Sequence, residues 1–404
     1  MEKNITQEKE LLSFQNEIST ELQRILDYWQ EYSKDDCYGG FVGKVDNYNN
    51  RIDKAPKSII LNTRILWTFS RAGNFYNDWR YDSECQRAFD YLLNNFRDYE
   101  FGGVFWELDH LGKPTKMRKQ VYAQAFCIYS LSEYYRYSKN PKAILWALEL
   151  FRLIEDRAYD KINGGYVEAY DRKWNSIEDM RLSEKDLNAP KTTNTHLHIL
   201  EAYTVLFEMT GNPVVENALT NLMELFHERI FEQNNHMKLF FTTEWKKLST
   251  EISFGHDIEA VWLMLYGSRM LQNQVLLKRT EELTKKVTKT FINEALDTEF
   301  GVINSKDSET LELDTDRHWW PQAEAMVGLL YNWKITNDPS YFSICKQIWA
   351  FITEHIIDHE NGEWFFRVDH NGEPYLEENK IGPWKCPYHN CRALIEILQL
   401  LRQN

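Results

Sequence analysis

The segment Phe101-Gly-Gly-Val-Phe105 resembles a short strand or hairpin, and related Gly-aromatic segments recur along the chain. Neighbouring segments are about 60–75 residues apart, and Leu239-Phe-Phe-Thr-Thr243 fills one gap without glycine. The other members are Tyr38-Gly-Gly-Phe41, Asn163-Gly-Gly-Tyr166, Phe300-Gly-Val302 and Asn361-Gly-Glu-Trp364. A regular spacing of this size is typical of repeat architectures, so the sequence predicts six structural repeats.

Apolar residues at helical spacing occupy the sequence between these segments. In the first predicted helix they fall on one face, at Ile18, Leu22, Ile25, Leu26 and Trp29. Three predicted helices stop at an Asn-Pro or Asp-Pro pair, because the residue before a proline disfavours the helical conformation. These pairs are Asn140-Pro141, Asn212-Pro213 and Asp338-Pro339. Each repeat is therefore predicted to consist of a helix, a Gly-aromatic hairpin, a second helix and a turn.

A single helical hairpin cannot bury its apolar face, whereas six hairpins in a closed ring can. We therefore predict an all-α toroid with an inner and an outer helix layer and short β-hairpins at one end. No run rich in proline, glycine or serine divides residues 1–404, so we expect a single domain. An open helical solenoid is the alternative, but polar residues at the starts of the more apolar inner helices favour a closed pocket.

Composition and charge exclude several classes of function. The net charge of −14 argues against nucleic acid and anionic membranes as partners. Aromatic residues make up 14% of the chain, which fits core packing or a carbohydrate cleft where flat rings stack on sugars. The six cysteines show no CxxC pair and no zinc-like spacing, which indicates reduced thiols. Without a signal peptide or an apolar stretch of transmembrane length, the sequence predicts a cytoplasmic protein.

Each predicted inner helix carries polar or aromatic residues near its start. Six helix starts at one end of a ring would converge on a single cavity, where their dipoles favour developing negative charge. His256 and Glu259 are three residues apart and therefore share a helix face, as do Asn194 and His198 at a spacing of four. The other clusters contain Arg64, Tyr122, Trp320 with Glu324, and His389.

The strongest candidates for chemistry are His198, His256 and His389, because they recur at the repeat spacing. Any one of these three histidines alone would be assigned a structural role. His196 lies on another helix face than His198, and we assign it a structural role. The role of His318 is left open. A histidine beside a carboxylate is an oriented, basic imidazole that can take a proton.

Two other chemistries use the same residues. A metal could bind the pair His256 and Glu259 with His198 or His389 as a third ligand, but no HExxH motif and no acidic cluster accompany these histidines. We therefore expect no metal and no other cofactor. Alternatively, Glu259 and Glu324 could flank a glycosidic bond as the acid and base of a hydrolase.

Four longer segments resemble the N-acylglucosamine 2-epimerase superfamily, and most closely its cellobiose 2-epimerase branch. They are Asn194-Thr-His-Leu-His-Ile-Leu-Glu-Ala-Tyr203, Gly255-His-Asp-Ile-Glu259, Trp319-Trp-Pro-Gln-Ala-Glu-Ala325 and Gly382-Pro-Trp-Lys-Cys-Pro-Tyr-His-Asn390. The resemblance implies an (α/α)6 barrel that epimerises β-1,4-linked disaccharides, such as cellobiose and lactose, without a metal or nucleotide. The resemblance also implies a monomeric protein.

The resemblance also assigns site residues. The paired proton carriers fall on His256 and His389, and a third histidine on His198. The carboxylate partner of His256 falls on Glu259, and an arginine of the family on Arg64. The sugar contacts fall on Tyr122, Asn194, Asp186, Trp320, Glu324 and Trp384.

These residues suggest a concrete reaction at the reducing-end sugar. His198 would assist ring opening, one of His256 and His389 would remove the C2 proton, and the other would return a proton to the opposite face. Arg64 would stabilise the oxyanion of the cis-enediolate intermediate. The alternatives are an aldose–ketose isomerase acting on mannose-type monosaccharides, an N-acylglucosamine 2-epimerase, a glycosidase and a non-catalytic sugar-binding toroid.

Overall fold

Helices of two layers alternate along the chain in the computed structural model, which describes residues 2–402, with side chains from residue 9 onward. The inner helices are α2 (Ile59–Tyr76), α4 (Val121–Ser138), α6 (Thr193–Thr210), α8 (Phe254–Met270), α10 (Trp319–Thr336) and α12 (Tyr388–Arg402). The outer helices are α1 (Glu2–Tyr32), α3 (Asp82–Tyr91), α5 (Pro141–Arg157), α7 (Pro213–Leu225), α9 (Gln274–Glu294) and α11 (Pro339–Phe351). One π-helical turn extends each of α3, α7 and α11, over Leu92–Phe96, Phe226–Ile230 and Ile352–Ile356.

The inner helices form a closed ring. Each packs against the next inner helix, and α12 packs against α2. The outer helices surround this ring, with α1 on α12 and α3, α5, α7, α9 and α11 on the inner helix that precedes each of them. The predicted (α/α)6 barrel of six helical hairpins is therefore confirmed, and the open solenoid is excluded.

Burial follows from this layering. The predicted stripe of α1, from Ile18 to Trp29, is fully buried because α1 has a single face against the barrel. An inner helix, in contrast, contacts neighbours on nearly all sides. In α8 the buried residues run almost without a break from Phe254 to Leu265, which explains its apolar sequence.

The Asn-Pro and Asp-Pro pairs begin outer helices as well as following the ends of inner ones. The inner helix before each pair ends at a left-handed residue, Lys139, Gly211 or Asn337. The first residue of the pair then caps the outer helix; Asn140 Oδ1, for example, accepts a hydrogen bond from the Lys142 amide at 3.1 Å. Proline follows at the first helical position, where its missing N–H costs nothing. The pairs that we predicted as helix stops are therefore also the starts of α5, α7 and α11.

Short antiparallel strands form sheets at one end of the barrel, and five of them run directly into an inner helix, namely α2, α4, α6, α8 and α10. Three sheets have two strands each and the other two have three, in the orders β1-β2-β3 and β8-β9-β10. The strands are β1 (Lys57–Ser58), β2 (Glu107–Leu108), β3 (Pro114–Lys116), β4 (Lys119–Gln120), β5 (Ala169–Tyr170), β6 (Lys191–Thr192), β7 (Phe240–Phe241), β8 (Glu251–Ser253), β9 (Ser305–Asp307), β10 (Leu313–Asp314), β11 (Arg317–His318) and β12 (Arg367–Val368).

The Gly-aromatic segments form the predicted hairpins, with one exception. Five of them close a one-residue bridge back to the end of the preceding outer helix, as Val104 does with Arg97. In the fourth repeat this bridge joins Phe231 and Met237. The assignment of Leu239–Thr243 to this role was wrong, because Phe240–Phe241 is strand β7 and pairs with β6.

The inner helix that follows each hairpin holds it in place. The fourth residue of four inner helices accepts a hydrogen bond from a hairpin amide; Gln124 binds the Val104 N–H at 2.8 Å, and His196 Nε2 binds the Tyr166 N–H at 2.8 Å. The other nitrogen of His196 donates to the Thr192 carbonyl at 2.6 Å, so both ring nitrogens of this residue bind backbone. Its contacts therefore support the structural assignment.

Ion pairs anchor five of the six hairpins within residues 9–402. In each pair a buried lysine or arginine that precedes an inner helix binds an aspartate at the hairpin turn, as Lys119 Nζ binds Asp98 at 2.8 Å. We call these the hairpin pairs. They are Lys57–Asp35, Lys119–Asp98, Lys191–Asp160, Arg317–Asp297 and Lys380–Asp358.

Among residues 2–402, none of the helices combines the length and the apolar character that a membrane span requires.

Candidate active site

The starts of the inner helices converge on a cavity of about 610 Å³ at the hairpin end of the barrel. Every inner helix contributes at least one residue from its first two turns, and α6 contributes both its second and its sixth residue, one turn apart on the same side. The cavity is lined by ten of the eleven predicted site residues, namely Arg64, Tyr122, Asp186, Asn194, His198, His256, Glu259, Trp320, Trp384 and His389.

The eleventh predicted residue, Glu324, lies behind His389. Nδ1 of His389 lies 2.7 Å from Glu324 Oε1, and Glu324 is fully buried. The Trp262 indole N–H donates to the other oxygen of Glu324 at 3.0 Å. Because Nδ1 of His389 is anchored in this way, its Nε2 is the nitrogen available to a bound molecule.

His198 is anchored by a second carboxylate. Its Nδ1 lies 3.0 Å from Glu201 Oε2, three residues further along α6. The Tyr388 hydroxyl donates to both oxygens of Glu201, at 2.5 and 2.6 Å. His198 also packs edge-on against the ring of Tyr122, with centroids 5.1 Å apart. Two of the three histidines therefore have the carboxylate partner that orients an imidazole for proton transfer.

The third histidine, His256, has a different partner from the one expected. Its Nδ1 lies 2.7 Å from Ser253 Oγ, at the end of strand β8, and its ring packs on Trp320 at 4.7 Å. The assignment of Glu259 as the carboxylate partner of His256 was therefore wrong. Three residues along a helix do place both side chains in the cavity, but the carboxylate of Glu259 turns towards Arg392.

Arg392 collects three carboxylates behind the residues that line the cavity. Its guanidinium binds Glu201, Glu259 and Glu324, the last at 2.6 Å, and all four side chains are at most 3% exposed. We call these four residues the Arg392 cluster. Glu259 Oε2 is buried without a hydrogen-bond partner among residues 9–402.

The contacts of the Arg392 cluster argue against both alternative chemistries, a metal site and a glycoside hydrolase. Ligand atoms of Glu259, Glu324 and His389 lie within 4.8 Å of one another, as a metal site requires. Both carboxylates already bind one cation, Arg392, which a divalent ion would have to displace. The same contacts argue against a hydrolase, because Glu259 and Glu324 bind one guanidinium instead of facing each other across the cavity.

Burial sets the protonation of the side chains in the cavity. It lowers the pKa of His256 to about 3, with a further contribution from His198. Burial and then Arg64 lower the pKa of His389 well below its usual value. Burial and the nearby Glu324 raise the pKa of Glu259 to about 7. At neutral pH the unliganded site therefore holds neutral imidazoles at His256 and His389, and Glu259 is poised to exchange a proton.

Arg64, on α2, forms the wall next to α12. It is 3% exposed and donates to the Tyr122 hydroxyl at 3.0 Å and to the Trp384 carbonyl at 3.4 Å. Its guanidinium lies over the Phe126 ring, 4.4 Å from the centroid. Because Arg64 Nε is buried without a partner among the described residues, this cation keeps an unused donor.

Aromatic rings and one loop complete the cavity. Trp384 lies beside Tyr122, with ring centroids 6.0 Å apart, which gives an aromatic wall suited to the apolar face of a sugar. Trp106 packs on Trp384 from outside the cavity, at 6.1 Å between centroids. Residues 182–186, which include Asp186, line the rim. His318, which the sequence left undecided, also lines the cavity.

Sequence reasoning missed four residues that position the histidines, namely Glu201, Ser253, Tyr388 and Arg392. Two of them carried a detectable signal. Glu201 follows His198 at the same spacing of three that drew attention to Glu259, and Arg392 follows His389 at that spacing. Ser253 and Tyr388 had no pattern of their own.

Comparisons with known proteins agree with this geometry. The family described as N-acylglucosamine 2-epimerase (GlcNAc 2-epimerase) matches residues 39–393. A cellobiose 2-epimerase of Bacteroides fragilis is 41% identical over 385 residues, which cover 95% of this chain and 97% of that protein. The solved structure of the cellobiose 2-epimerase from Spirochaeta thermophila superimposes with a TM-score of 0.92 at 35% identity, covering 98% of each chain.

A more distant relative is a D-mannose isomerase of Marinomonas mediterranea, 24% identical over 383 residues that cover 91% of this chain and 92% of that protein. The family match spans most of the chain, and the relative from B. fragilis exceeds 40% identity along nearly its whole length. The chain therefore belongs to the N-acylglucosamine 2-epimerase family.

Proposed function

We propose that this enzyme inverts C2 of the reducing-end sugar of β-1,4-linked disaccharides, converting cellobiose to glucosyl-mannose and lactose to epilactose. The observation that carries the proposal is that His198, His256 and His389 line one cavity with Nδ1 of each ring anchored. Each anchored ring leaves Nε2 for the substrate. The identity to cellobiose 2-epimerases supports the choice of substrate.

The reaction begins by opening the reducing-end sugar to its aldehyde, and His198 is suited to move the proton that ring opening requires. Its Nδ1 is held by Glu201, so its Nε2 can exchange a proton with the ring oxygen or the anomeric hydroxyl. C2 then lies next to a carbonyl, and its hydrogen becomes acidic enough for a side-chain base.

Epimerisation then needs two proton carriers on opposite faces of C2. His389 and His256 both contact the Trp320 indole, with centroids 5.6 and 4.7 Å away, and they approach the cavity from different helices. One neutral imidazole removes the C2 proton and becomes an imidazolium. The second ring enters the step with a proton on Nε2 taken from solvent, gives it to the other face of the enediolate and becomes neutral. The roles exchange in the reverse reaction.

The negative charge of the enediolate needs a fixed donor. Arg64 lines the cavity, is held by its contacts with Tyr122 and Trp384 and is permanently charged, so it can act as a fixed donor to the oxyanion. The starts of six inner helices at the same end of the barrel add partial positive charge. The flat walls formed by Tyr122, Trp320 and Trp384 would hold the sugar rings, with Asn194 and Asp186 as polar contacts.

Incubation with cellobiose in D₂O, followed by NMR of the products, tests this function. We expect glucosyl-mannose with deuterium at C2, because the proton that is returned comes from a side chain in exchange with solvent. An epimer without deuterium at C2 would contradict the enediolate route. Release of glucose would indicate a glycosidase, and binding with no product a non-catalytic protein.

The second candidate is an aldose–ketose isomerase, favoured by the similarity to a D-mannose isomerase. It would use the same enediolate but return the proton to C1. Mannose incubated in D₂O under the same conditions separates the two functions, since an isomerase yields fructose and an epimerase acting on the monosaccharide yields glucose. N-acetylglucosamine as a third substrate tests the activity for which the family is named.

The assembly and location of the protein stay predictions: a single catalytic domain over residues 1–404, acting as a cytoplasmic monomer without a cofactor. Light scattering on the purified protein should give the mass of one chain, 48.3 kDa. Treatment with EDTA should leave the activity intact. Loss of activity that a divalent metal restores would instead favour a metal site at Glu259, Glu324 and His389.

A further inference from the structure

We propose that Arg392 is a positioning residue of the reaction, which holds Glu201 and Glu324 as carboxylates so that His198 and His389 both present an unprotonated Nε2 to the sugar. The inference rests on the proposed epimerase function. It concerns a residue that does not itself line the cavity.

The contacts of Arg392 span three inner helices. One guanidinium nitrogen, Nη1, donates to Glu201 Oε1 and the Tyr388 hydroxyl, and the other, Nη2, donates to Glu259 Oε1 and Glu324 Oε1. The guanidinium lies over the rings of Trp262 and Tyr388, 4.8 and 4.3 Å from their centroids. Because the guanidinium contacts two rings and bonds through both terminal nitrogens, its position is fixed.

Each end of the guanidinium reaches one histidine through one carboxylate. Glu201 bridges Nη1 of Arg392 to Nδ1 of His198, and Glu324 bridges Nη2 to Nδ1 of His389. A single arginine thus connects two of the three imidazoles in the cavity. The third carboxylate, Glu259, has no histidine contact within hydrogen-bond distance.

The charge state of these carboxylates decides the tautomer of the histidines. An ionised carboxylate only accepts hydrogen bonds, so it requires the proton on Nδ1 and leaves a lone pair on Nε2. A protonated carboxylic acid can instead donate to Nδ1, and the neutral imidazole then carries its proton on Nε2. In that tautomer His389 cannot remove a proton from C2.

Without Arg392, three carboxylates would lie together in a site almost closed to solvent. Buried carboxylates without a cation are protonated instead of ionised. The burial of Glu324 and its neighbour Glu201 already raise the pKa of Glu324 despite the guanidinium. Loss of Arg392 should therefore convert His198 and His389 to the unproductive tautomer.

A second arginine inside the barrel offers a matched control. Arg71 on α2, with its side chain 14% exposed, binds Glu396 at 2.9 Å and approaches Glu133 at 3.9 Å, and neither carboxylate bonds to a histidine within residues 9–402. Replacing either arginine by methionine removes one cation from the barrel and leaves carboxylates behind. Only Arg392→Met removes the cation connected to the imidazoles.

The test combines ¹⁵N NMR of the histidine rings with steady-state kinetics on cellobiose. For Arg392→Met we expect the resonances of His198 and His389 to move from the Nδ1–H to the Nε2–H pattern in the substrate-free protein. We expect kcat to fall about 100-fold or more, the range for a lost general base, with little change in KM. Arg71→Met should lower the melting temperature but keep the ring tautomers and kcat.

Unchanged tautomers or a kcat close to that of the wild type in Arg392→Met would overturn the proposal, and so would equal changes in Arg71→Met. If Arg392→Met does not fold, Arg392→Lys serves instead. One ammonium cannot reach all three carboxylates, so we expect a mixture of tautomers and an intermediate kcat; wild-type values of both would again overturn the proposal. A wild type that forms no epimer refutes the proposed function, whereas the NMR readout, which needs no substrate, still decides the role of Arg392.

Discussion

The hairpin pairs and the Arg392 cluster are both buried ionic groups at the same end of the barrel, but they differ in charge balance. In a hairpin pair such as Lys191–Asp160, one cation meets one carboxylate, and the lysine lowers the pKa of the aspartate although burial opposes ionisation. In the Arg392 cluster one cation meets three carboxylates, and the pKa of Glu259 rises to about 7. Balanced pairs keep their charges and hold the fold, whereas the unbalanced cluster can gain or lose a proton near neutral pH.

The largest expected effect is a loss of activity when a histidine bonded to the Arg392 cluster is replaced. Replacing His389 by asparagine keeps a polar side chain of similar size but removes the base. Cellobiose epimerisation should fall by roughly 10²–10⁴-fold, which is the contribution of a positioned acid or base. The melting temperature should stay within a few degrees of the wild type; activity near the wild-type level would contradict the role of His389.

Breaking a hairpin pair should instead lower the stability of the fold and leave kcat unchanged. Lys191→Met leaves Asp160 without its cation, and breaking a buried pair costs about 3 kcal/mol in the free energy of unfolding. The lysine is fully buried and also donates to two backbone carbonyls, at 2.7 and 2.8 Å. Denaturant unfolding at pH 7 measures the loss, and the protein that remains folded should keep its kcat.

The matched control is Lys285→Met, because Lys285 forms an exposed pair with Glu282. An exposed pair contributes at most about 1 kcal/mol. The loss in Lys191→Met should also diminish below about pH 4, because the pKa of Asp160 is lowered in the fold and the pair's contribution disappears once this carboxylate is protonated. Equal losses in the two variants at pH 7 would remove the distinction between buried and exposed pairs.

Ionisation of Glu259 should lower the stability of the fold as pH rises. Its pKa is about 7 in the fold, against an ordinary value of 4.5, so the folded state binds the proton more tightly than the unfolded chain. Its contribution therefore becomes less favourable as pH rises from about 4.5 to 7 and is constant above that range. Compared with the wild type, Glu259→Gln should melt a few degrees higher at pH 8 and gain less at pH 5; an equal gain at both pH values would contradict the titration of Glu259.

The smallest effect is expected in the aromatic wall. Trp384→Phe keeps an apolar ring but shortens the platform that meets Tyr122 and Trp106. Loss of about 1 kcal/mol of stacking should raise KM for cellobiose about fivefold and leave kcat nearly unchanged. A fall in kcat with constant KM would instead place Trp384 in the proton-transfer step.

The sequence was sufficient to predict the architecture because the signals were local and repeated. Helical stripes, capping pairs and Gly-aromatic segments each lie within a few residues of the feature they specify. The one error in the repeats, at Leu239–Thr243, arose because the fourth hairpin has no glycine. Its turn uses Asn235 at φ = +69°, and asparagine is the residue that most readily replaces glycine in the left-handed conformation.

The cavity-lining residues of the inner helices could be predicted for the same reason, since they lie near the helix starts, whereas Asp186 and Trp384 lie on loops and were predicted only from the family resemblance. The partners of those residues could not be predicted. Glu259 shares a helix face with His256, yet its carboxylate binds Arg392, which lies 133 positions further along the chain. Contacts across the barrel axis depend on the angles between helices, and residue spacing along one helix carries no information about them.

Ring closure has a consequence for when activity can arise during folding. Nearly all helix neighbours are close in the chain, but the contacts of α12 with α1 and α2 join its two ends. Arg64 and His389 lie on the two sides of this seam, and Arg64 reaches across it to the Trp384 carbonyl. An incompletely assembled chain thus lacks the geometry for turnover, so recovery of catalysis during refolding should coincide with the last long-range docking event and lag behind the return of helicity.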